Sequence, residues 1–164
     1  MKFEDLDDTD LRLLDALQRN TAVSNQSLAR RLHISPPTCL RRVRRLRAGG
    51  WIDSEVALLD PVRLGPLLTA VIEVSLDRQD AGSVESFELR VAPDDAVQQC
   101  YRVSPGPDFV LIVTVRDMAA YQALAQRLFT SDANVRNVKA FFSLHRAKFT
   151  PRMPLPGPAR PETR

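Results

Sequence analysis

The stretch from Ser24 to Gly50 limits the fold most, because it holds two short helices with room for only a tight turn between them. Ser24 and Ser35 are residue types that cap helix N-termini, and Pro36 follows at a position suited to the first helical turn. His33 and Ile34 are left as the connection. Two helices joined by so few residues are typical of the helix-turn-helix arrangement.

A supporting helix is expected in front of this pair. Asp7 is its predicted N-cap, and Leu11, Leu14 and Leu17 follow on one face. They share a face because positions three apart lie on the same side of a 3.6-residue turn. Residues 1–53 are therefore predicted to form a helix-turn-helix domain of the winged-helix-like type.

Behind this domain the pattern changes from helical to extended. Trp51, Ile52 and the run Val56–Leu59 are expected to form short strands. Residues 54–66 are interpreted as a short strand followed by a linker, because prolines and a glycine interrupt the pattern near the end of this segment.

The second half alternates strands and helices in the order βαββαβ. The β-branched runs predict strands, and an Ala/Leu-rich run predicts one of the helices. The predicted strands begin at Leu67, Val97, Asp108 and Val135, and the predicted helices begin at Val84 and Met118. This order is that of the ferredoxin-like split βαβ sandwich, so residues 67–150 are predicted to be an α+β domain.

One face of that sheet is expected to be left without a cover. The helices would pack on a single face, yet the runs "FVLIV" and "VIEV" carry apolar residues at consecutive positions, so both faces are apolar. Because an exposed apolar face is a liability for a monomer, the sequence predicts self-association through it. The last segment, residues 151–164, holds five of the twelve prolines and is predicted to be an extended or disordered tail.

Positive charge is concentrated in the helix that follows Ser35. The formal net charge is only +3, but seven arginines and no acidic residue lie between Arg30 and Arg47. On a helix that starts near Pro36, an apolar stripe faces inward and the opposite side carries Arg41, Arg44 and Arg45 with no obvious carboxylate partner. Arginine suits both phosphate and the guanine edge, so this face favours DNA over a merely solvated surface.

The remaining composition excludes several classes of function. Cys39 and Cys100 form no metal-spaced cluster, and neither His33 nor His145 has an obvious acid–base partner. We therefore expect no catalytic residue, no metal and no cofactor. Without a signal peptide or a long apolar span, a cytoplasmic location is expected, with nucleoid association when DNA is bound.

The segments "LDDTDLRLLDALQRN", "SNQSLARRLHISPPTCLRRVRRLRAGGWI" and "ALLDPVRLG" closely resemble the Lrp/AsnC (feast/famine) transcription regulators, and the likeness runs from about Leu6 to Leu155. The resemblance implies a sequence-specific regulator that binds double-stranded DNA, on a pseudo-palindromic operator, as a homodimer assembling to a tetramer or octamer. It also implies control of amino-acid or related metabolism through a small-molecule effector. The residues that it places at or near DNA are Ser35, Pro37, Thr38, Arg41, Arg42 and Arg45.

The predicted effector site departs from the family pattern. Where the family has a glycine, a polar residue, an aromatic and an aspartate, this chain has Pro105, Gly106, Pro107 and Asp108. Proline lacks an N–H, so a backbone donor for a carboxylate is missing at two places. Valine and alanine stand where the family has alternating threonines. The candidate effector residues are Ser104, Gly106, Asp108, Asn134, Val138 and Ala140, and an amino acid, another ligand or none remain open.

Two other functions compete with DNA-binding regulation. Some tetrapyrrole-pathway decarboxylases resemble this architecture, but that reading leaves the unpaired arginines unexplained. The other alternative is an effector-independent DNA-binding or assembly protein.

Overall fold

The computed structural model describes residues 6–156, which form two compact units. One unit contains the described residues up to Leu58 together with the C-terminal segment that starts at Lys148. The other unit runs from Leu59 to Ala147. The first unit is therefore built from two separate parts of the chain.

Three helices make up most of the first unit. They are α1 (Asp8–Leu17), α2 (Asn25–Leu32) and α3 (Pro36–Ala48). Each begins after a side chain that accepts a hydrogen bond from the first turn, and the three caps are Asp7, Ser24 and Ser35. The structure thus confirms the predicted caps and the helix-turn-helix arrangement.

The turn between α2 and α3 depends on a left-handed residue. His33 has φ 56° and ψ 42°, and its backbone N–H donates to the carbonyl of Arg30 at 3.2 Å. The side chain of Asn25 then ties the two helices together, because it donates to the carbonyl of Pro36 at 2.9 Å. These contacts fix the angle at which α3 leaves α2.

The core of this unit differs from the sequence pattern at one helix. Leu13, Leu14 and Leu17 of α1 are buried, whereas Leu11 is only partly buried. The prediction is therefore confirmed for Leu14 and Leu17, whereas Leu13 is fully buried in place of Leu11. Leu28 and Leu32 of α2 pack on the same core. The buried residues of α3 in this core are Cys39, Val43 and Leu46.

The short strands expected after α3 are absent from the described chain. Trp51 and Ile52 pack against the helical core, but no residue between 51 and 60 joins a β-ladder. Val56, Leu58 and Leu59 are 70%, 60% and 68% exposed. A strand needs a neighbouring strand to satisfy its backbone groups, and this chain does not supply one here.

The C-terminal segment returns to the helices. Residues 151–156 have no regular secondary structure, but Met153 is hydrogen-bonded to Gln18 and Leu155 packs on the helical core. As the proline content predicted, these residues join no helix or β-ladder, and one side chain and one apolar contact connect them to the helices. Residues 157–164 of the predicted tail lie outside the described chain.

The second unit has the predicted βαββαβ order and is an α+β sandwich. Its elements are β1 (Leu68–Leu76), α4 (Ala81–Val91), β2 (Val97–Arg102), β3 (Phe109–Val115), α5 (Met118–Ala125) with a π-helical turn at Gln126–Thr130, and β4 (Val135–Phe142). All neighbouring strands are antiparallel, in the spatial order β2-β3-β1-β4. Helix α4 starts three residues before the predicted Val84, because Asp80 accepts the N–H of Ser83 and caps it earlier.

One face of this sheet is covered by helices and the other is not. Alternate residues of β1 and β3 are fully buried beneath the helices, where Phe87 stacks on Phe109 with ring centroids 4.6 Å apart. The opposite face carries Val71, Val110 and Ile112, with Phe141 54% exposed. The expected apolar face without a helical cover is thus present. Among residues 6–156, no helix is long and apolar enough to cross a bilayer.

Candidate nucleic-acid interface and effector site

Two hydroxyl groups lie close together at the N-terminal end of α3. Ser35 Oγ accepts the N–H of Thr38, and the two hydroxyl oxygens lie 2.8 Å apart. Pro37 is exposed beside them. On the inward side, Cys39, Val43 and Leu46 are buried, as the apolar stripe predicted. The helix is therefore anchored along one side and open along the other.

A buried carboxylate of α1 reaches this helix from behind. Asp10 is only 1% exposed, and its Oδ1 accepts from Nη1 of Arg42 at 2.9 Å while its Oδ2 pairs with Nη2 of Arg45. Asp7 also pairs with Nη1 of Arg42, at 2.6 Å. The expectation that Arg45 lacks a carboxylate neighbour is wrong, because the packing of α1 on α3 supplies one.

This ion-pair cluster, formed by Asp7, Asp10, Arg42 and Arg45, is strong enough to affect protonation. Burial raises the pKa of Asp7, but the hydrogen bonds from Arg42 and from the backbone N–H of Asp10 outweigh it, so this pKa lies below its usual value. The hydrogen bonds to Asp7 and Asp10 raise the pKa of Arg42. Both Asp7 and Arg42 are therefore charged across the physiological range.

The cluster divides the arginines into two groups. The side chain of Arg42 is 21% exposed and turned toward α1, whereas that of Arg45 is 57% exposed and keeps its remaining donors open to solvent. Arg41 and Arg44 are exposed and have no hydrogen bond or ion pair within residues 6–156. Arg31, on α2, is in the same situation. Two exposed cations on one helix without local anions favour an external anion.

Sequence analysis missed Asp10. It lies at the same helical spacing as the buried Leu13, Leu14 and Leu17, so an acidic residue stands on the apolar stripe of α1. A buried carboxylate must be paired, and that rule would have indicated a basic partner. The pattern alone did not identify the partner, because Arg42 and Arg45 are 32 and 35 residues away in the chain.

Two predicted effector residues flank the end of β1. Asp108 Oδ2 accepts the N–H of Leu76 at 2.6 Å, and the backbone N–H of Asp108 donates to the carbonyl of Val74 at 2.9 Å. On the other side, Asn134 exchanges two side-chain hydrogen bonds with the backbone of Arg78, at 2.8 and 3.1 Å. Both polar side chains therefore support the loop geometry within the unit.

The other four predicted effector residues lie in two separate places. Ser104 and Gly106 are exposed in the loop between β2 and β3, where Gly106 has φ 128°. Val138 and Ala140 lie opposite Val74 and Ile72 in the sheet and pack toward the helical side. The chain thus does not gather all six residues on a single surface.

Comparison with known proteins identifies both units. A family model described as winged helix-turn-helix DNA-binding matches residues 6–53, and one described as the Lrp/AsnC ligand binding domain matches residues 69–153. The leucine-responsive regulatory protein of Escherichia coli is 33% identical over 150 residues, covering 92% of each chain. An uncharacterised HTH-type transcriptional regulator of Sinorhizobium fredii is 33% identical over 151 residues, covering 92% of this chain and 89% of its own.

Solved structures agree with these matches. An AsnC family transcriptional regulator from Agrobacterium tumefaciens has a TM-score of 0.85 and 29% identity, covering 91% of this chain and 97% of its own. A transcriptional regulator from Neisseria meningitidis, solved as a complex with L-Met, has a TM-score of 0.84 and 31% identity, covering 91% and 96%. The matched proteins are regulators, which confirms the expectation that the chain is not an enzyme. With its DNA-binding and effector-binding units, the chain belongs to the Lrp/AsnC family of transcription regulators.

Proposed function

We propose that the chain reads a specific, pseudo-palindromic DNA operator through the exposed face of α3. The observation that carries this proposal is the pair of exposed arginines, Arg41 and Arg44, which have no anion within the described chain. In a helix-turn-helix protein the second helix of the motif enters the major groove. Guanidinium groups on that helix can then bind phosphate or the O6/N7 edge of guanine.

Each residue of the predicted contact set has a distinct role in this proposal. Ser35, Pro37 and Thr38 lie at the N-terminal end of α3, where helix-turn-helix proteins reach base edges. Arg41 contacts DNA directly, and Arg45 does so with the donors that Asp10 leaves open. Arg42 acts by holding α3 on α1, because its side chain is turned toward Asp7 and Asp10.

The chain acts as a homodimer in this proposal, and dimers assemble further into tetramers or octamers. The open face of the sheet, with Val71, Val110, Ile112 and Phe141, supports self-association because water contact with such a face is unfavourable. A twofold dimer matches the symmetry of a pseudo-palindrome, with recognition helices about 34 Å apart. DNA binding implies that the protein works in the cytoplasm at the nucleoid.

A small molecule, in the first instance an amino acid, is the proposed signal. The relative from Neisseria meningitidis is a complex with L-Met, and the matched family model is a ligand-binding domain. Ser104 and Gly106 remain exposed in the loop after β2, and Asp108 stands beside them. An amino-acid ammonium group would use this carboxylate, and the signal would control genes of amino-acid or related metabolism.

The test replaces the two unpartnered arginines one at a time. An operator is first obtained by enriching, from a random DNA pool, the sequences that the unaltered protein binds. Arg41→Ala and Arg44→Ala should each weaken binding to this enriched operator and reduce the magnitude of the slope of log K against log salt by about 0.9 per lost phosphate contact. Arg63→Ala is the matched control, since Arg63 is exposed but lies in the linker. Binding measured by fluorescence anisotropy at several salt concentrations gives both quantities. An unchanged affinity and slope in both helix variants would contradict the proposal.

A further inference from the structure

The C-terminal strap, defined as Thr150–Pro156, is held on α1 through its backbone. Gln18 Nε2 donates to the carbonyl of Met153 at 3.0 Å, and the N–H of Met153 donates to Gln18 Oε1 at 2.8 Å. A neighbouring β-strand makes the same pair of bonds with an extended residue. Gln18 therefore binds the strap as a sheet edge would, without using the Met153 side chain.

A second contact is apolar. Leu155 is half-buried and packs on the helical core that contains Leu13 and Leu17. The Met153 side chain, in contrast, is 72% exposed. Two hydrogen bonds to its backbone and one leucine thus help to hold the strap, together with the charge of Arg152, which acts on Asp15 of α1. An attachment of this size is weak enough to open and close reversibly.

The surface beneath the strap is a groove. A cavity of about 610 Å³ lies between α1 and the strap, with Leu11, Ala16 and Leu32 on the helical side and Arg152, Pro154 and Pro156 on the strap side. The strap forms one wall of this cavity, so the surface of the helix-turn-helix unit beside α1 binds a peptide segment. The occupant present in the structure is a segment of the same chain.

The strap also provides a second covalent route between the units. Directly after β4, the N–H of Ser143 donates to the carbonyl of Thr69 in β1 at 2.8 Å, so the chain is still fixed to the sheet there. This second connection, from Ser143 to Met153, contains fewer residues than the first connection, which runs from Ile52 to Leu68. With the strap docked, the shorter route limits the freedom of the helix-turn-helix unit.

We propose that the strap is an intramolecular docking segment that binds the α1 groove reversibly and couples the effector sheet to DNA binding. When it is docked, each helix-turn-helix unit is tethered to its sheet at two points. A dimer then presents its two α3 helices with a restricted range of spacings, which favours an operator with two half-sites. This step rests on the proposed function, a dimer on a pseudo-palindrome.

Docking is tested first, by hydrogen exchange of the amide at position 153 in the full chain. Gln18→Ala removes both hydrogen bonds and should accelerate this exchange by roughly 10-fold or more. Leu155→Ala removes the apolar contact and should act in the same direction. Met153→Ala is the matched control, because it keeps the backbone donor and acceptor and deletes only an exposed side chain. Unchanged exchange in both Gln18→Ala and Leu155→Ala would overturn docking.

Coupling is tested on two DNA duplexes, one with both half-sites of the enriched operator and one with a single half-site. Gln18→Ala should lose about 10-fold in affinity for the two-site duplex and keep its affinity for the single site. A chain ending at Phe149 should behave in the same way, whereas a chain ending at Pro156 should bind like the complete one.

Two outcomes would overturn the coupling. An equal loss on both duplexes would mean that the strap is only a structural part of the helix-turn-helix unit, and no loss on either would mean that its docking has no effect on DNA. Failure of the unaltered chain to bind any duplex would instead contradict the proposed function. The exchange experiment decides docking in either case, because it needs no DNA.

Discussion

At the level of single residues, Asp10 determines how the positive charge of α3 is divided. Its buried carboxylate binds one edge of Arg45 and holds Arg42 against α1. Two arginines of the helix are thereby partly neutralised, and Arg41 and Arg44 are left for an external anion. The basic run in the sequence therefore overstates the charge available to DNA.

Replacing Asp10 by Asn should destabilise the helical unit by roughly 2–3 kcal/mol. Loss of one partner of a buried ion pair is costly, but Asp7 still pairs with Arg42 and Arg45 reaches solvent, so the expected cost is at or below the low end of the usual range. Trp51 is the only tryptophan of the chain and packs on this unit, so its fluorescence during urea unfolding reports the change.

Asp7→Asn is the control for this variant. Asparagine still caps α1, and the Asp7 carboxylate is about half exposed, so the loss should stay below about 1 kcal/mol. Equal effects of the two substitutions would contradict the central position that we assign to Asp10.

The backbone conformation of His33 provides a second test at this level. It has a left-handed conformation at the end of α2, which costs a non-glycine residue about 1 kcal/mol. His33→Gly should therefore stabilise the unit slightly, by up to about 1 kcal/mol, after the greater flexibility of unfolded glycine is subtracted. The same Trp51 unfolding curve measures the change. A clear loss of stability would show that the imidazole ring makes a contact worth more than the strain.

At the level of elements, the open face of the sheet distinguishes a monomer from a dimer. β3 lies at the middle of the sheet, and its Ile112 is opposite Val71 of β1 in the register, both on the face without helices. Val110 and Phe141 extend the same apolar surface. Three neighbouring strands contribute residues to this surface, so it forms only when the sheet is assembled.

Ile112→Lys should weaken the dimer by about 100-fold or more, because it places an unpaired charge at the centre of the proposed interface. Gln122→Lys adds the same charge at an exposed position of α5, on the helical side of the sheet, and serves as the control. Light scattering after size-exclusion chromatography, over a range of protein concentrations, gives the dissociation constant. A monomeric unaltered chain, or an Ile112→Lys variant that dimerises normally, would rule out this face as the interface.

At the level of the whole molecule, the open question is which signal reaches the DNA-binding unit. In a thermal-shift screen against the twenty amino acids and related metabolites, the cognate ligand should raise the melting temperature of the protein. The free energy of unfolding rises by about 2.7 kcal/mol at a ligand concentration of 100 times Kd. Asp108→Asn should abolish that shift if the carboxylate holds the ammonium group, whereas Asp15→Asn, a surface control on α1, should retain it. No shift for any compound would favour effector-independent binding.

Local sequence signals were sufficient to predict much of this protein. The caps at Asp7, Ser24 and Ser35, the helix-turn-helix pair and the βαββαβ order all depend on interactions between residues close in the chain. Those interactions have a period or a spacing that the sequence displays directly. The family resemblance, which the comparisons confirm, rests on the same segments.

Only the tertiary structure determined which charges are free and where residues 150–156 lie. Asp10 meets Arg42 and Arg45 because two helices pack, and Gln18 meets Met153 across 135 positions in the sequence. The absence of a ladder at Val56–Leu59 has the same origin, since pairing depends on a distant or separate strand. Contacts between residues far apart in the chain have no periodicity, so their physical cause is packing, which local pattern does not encode.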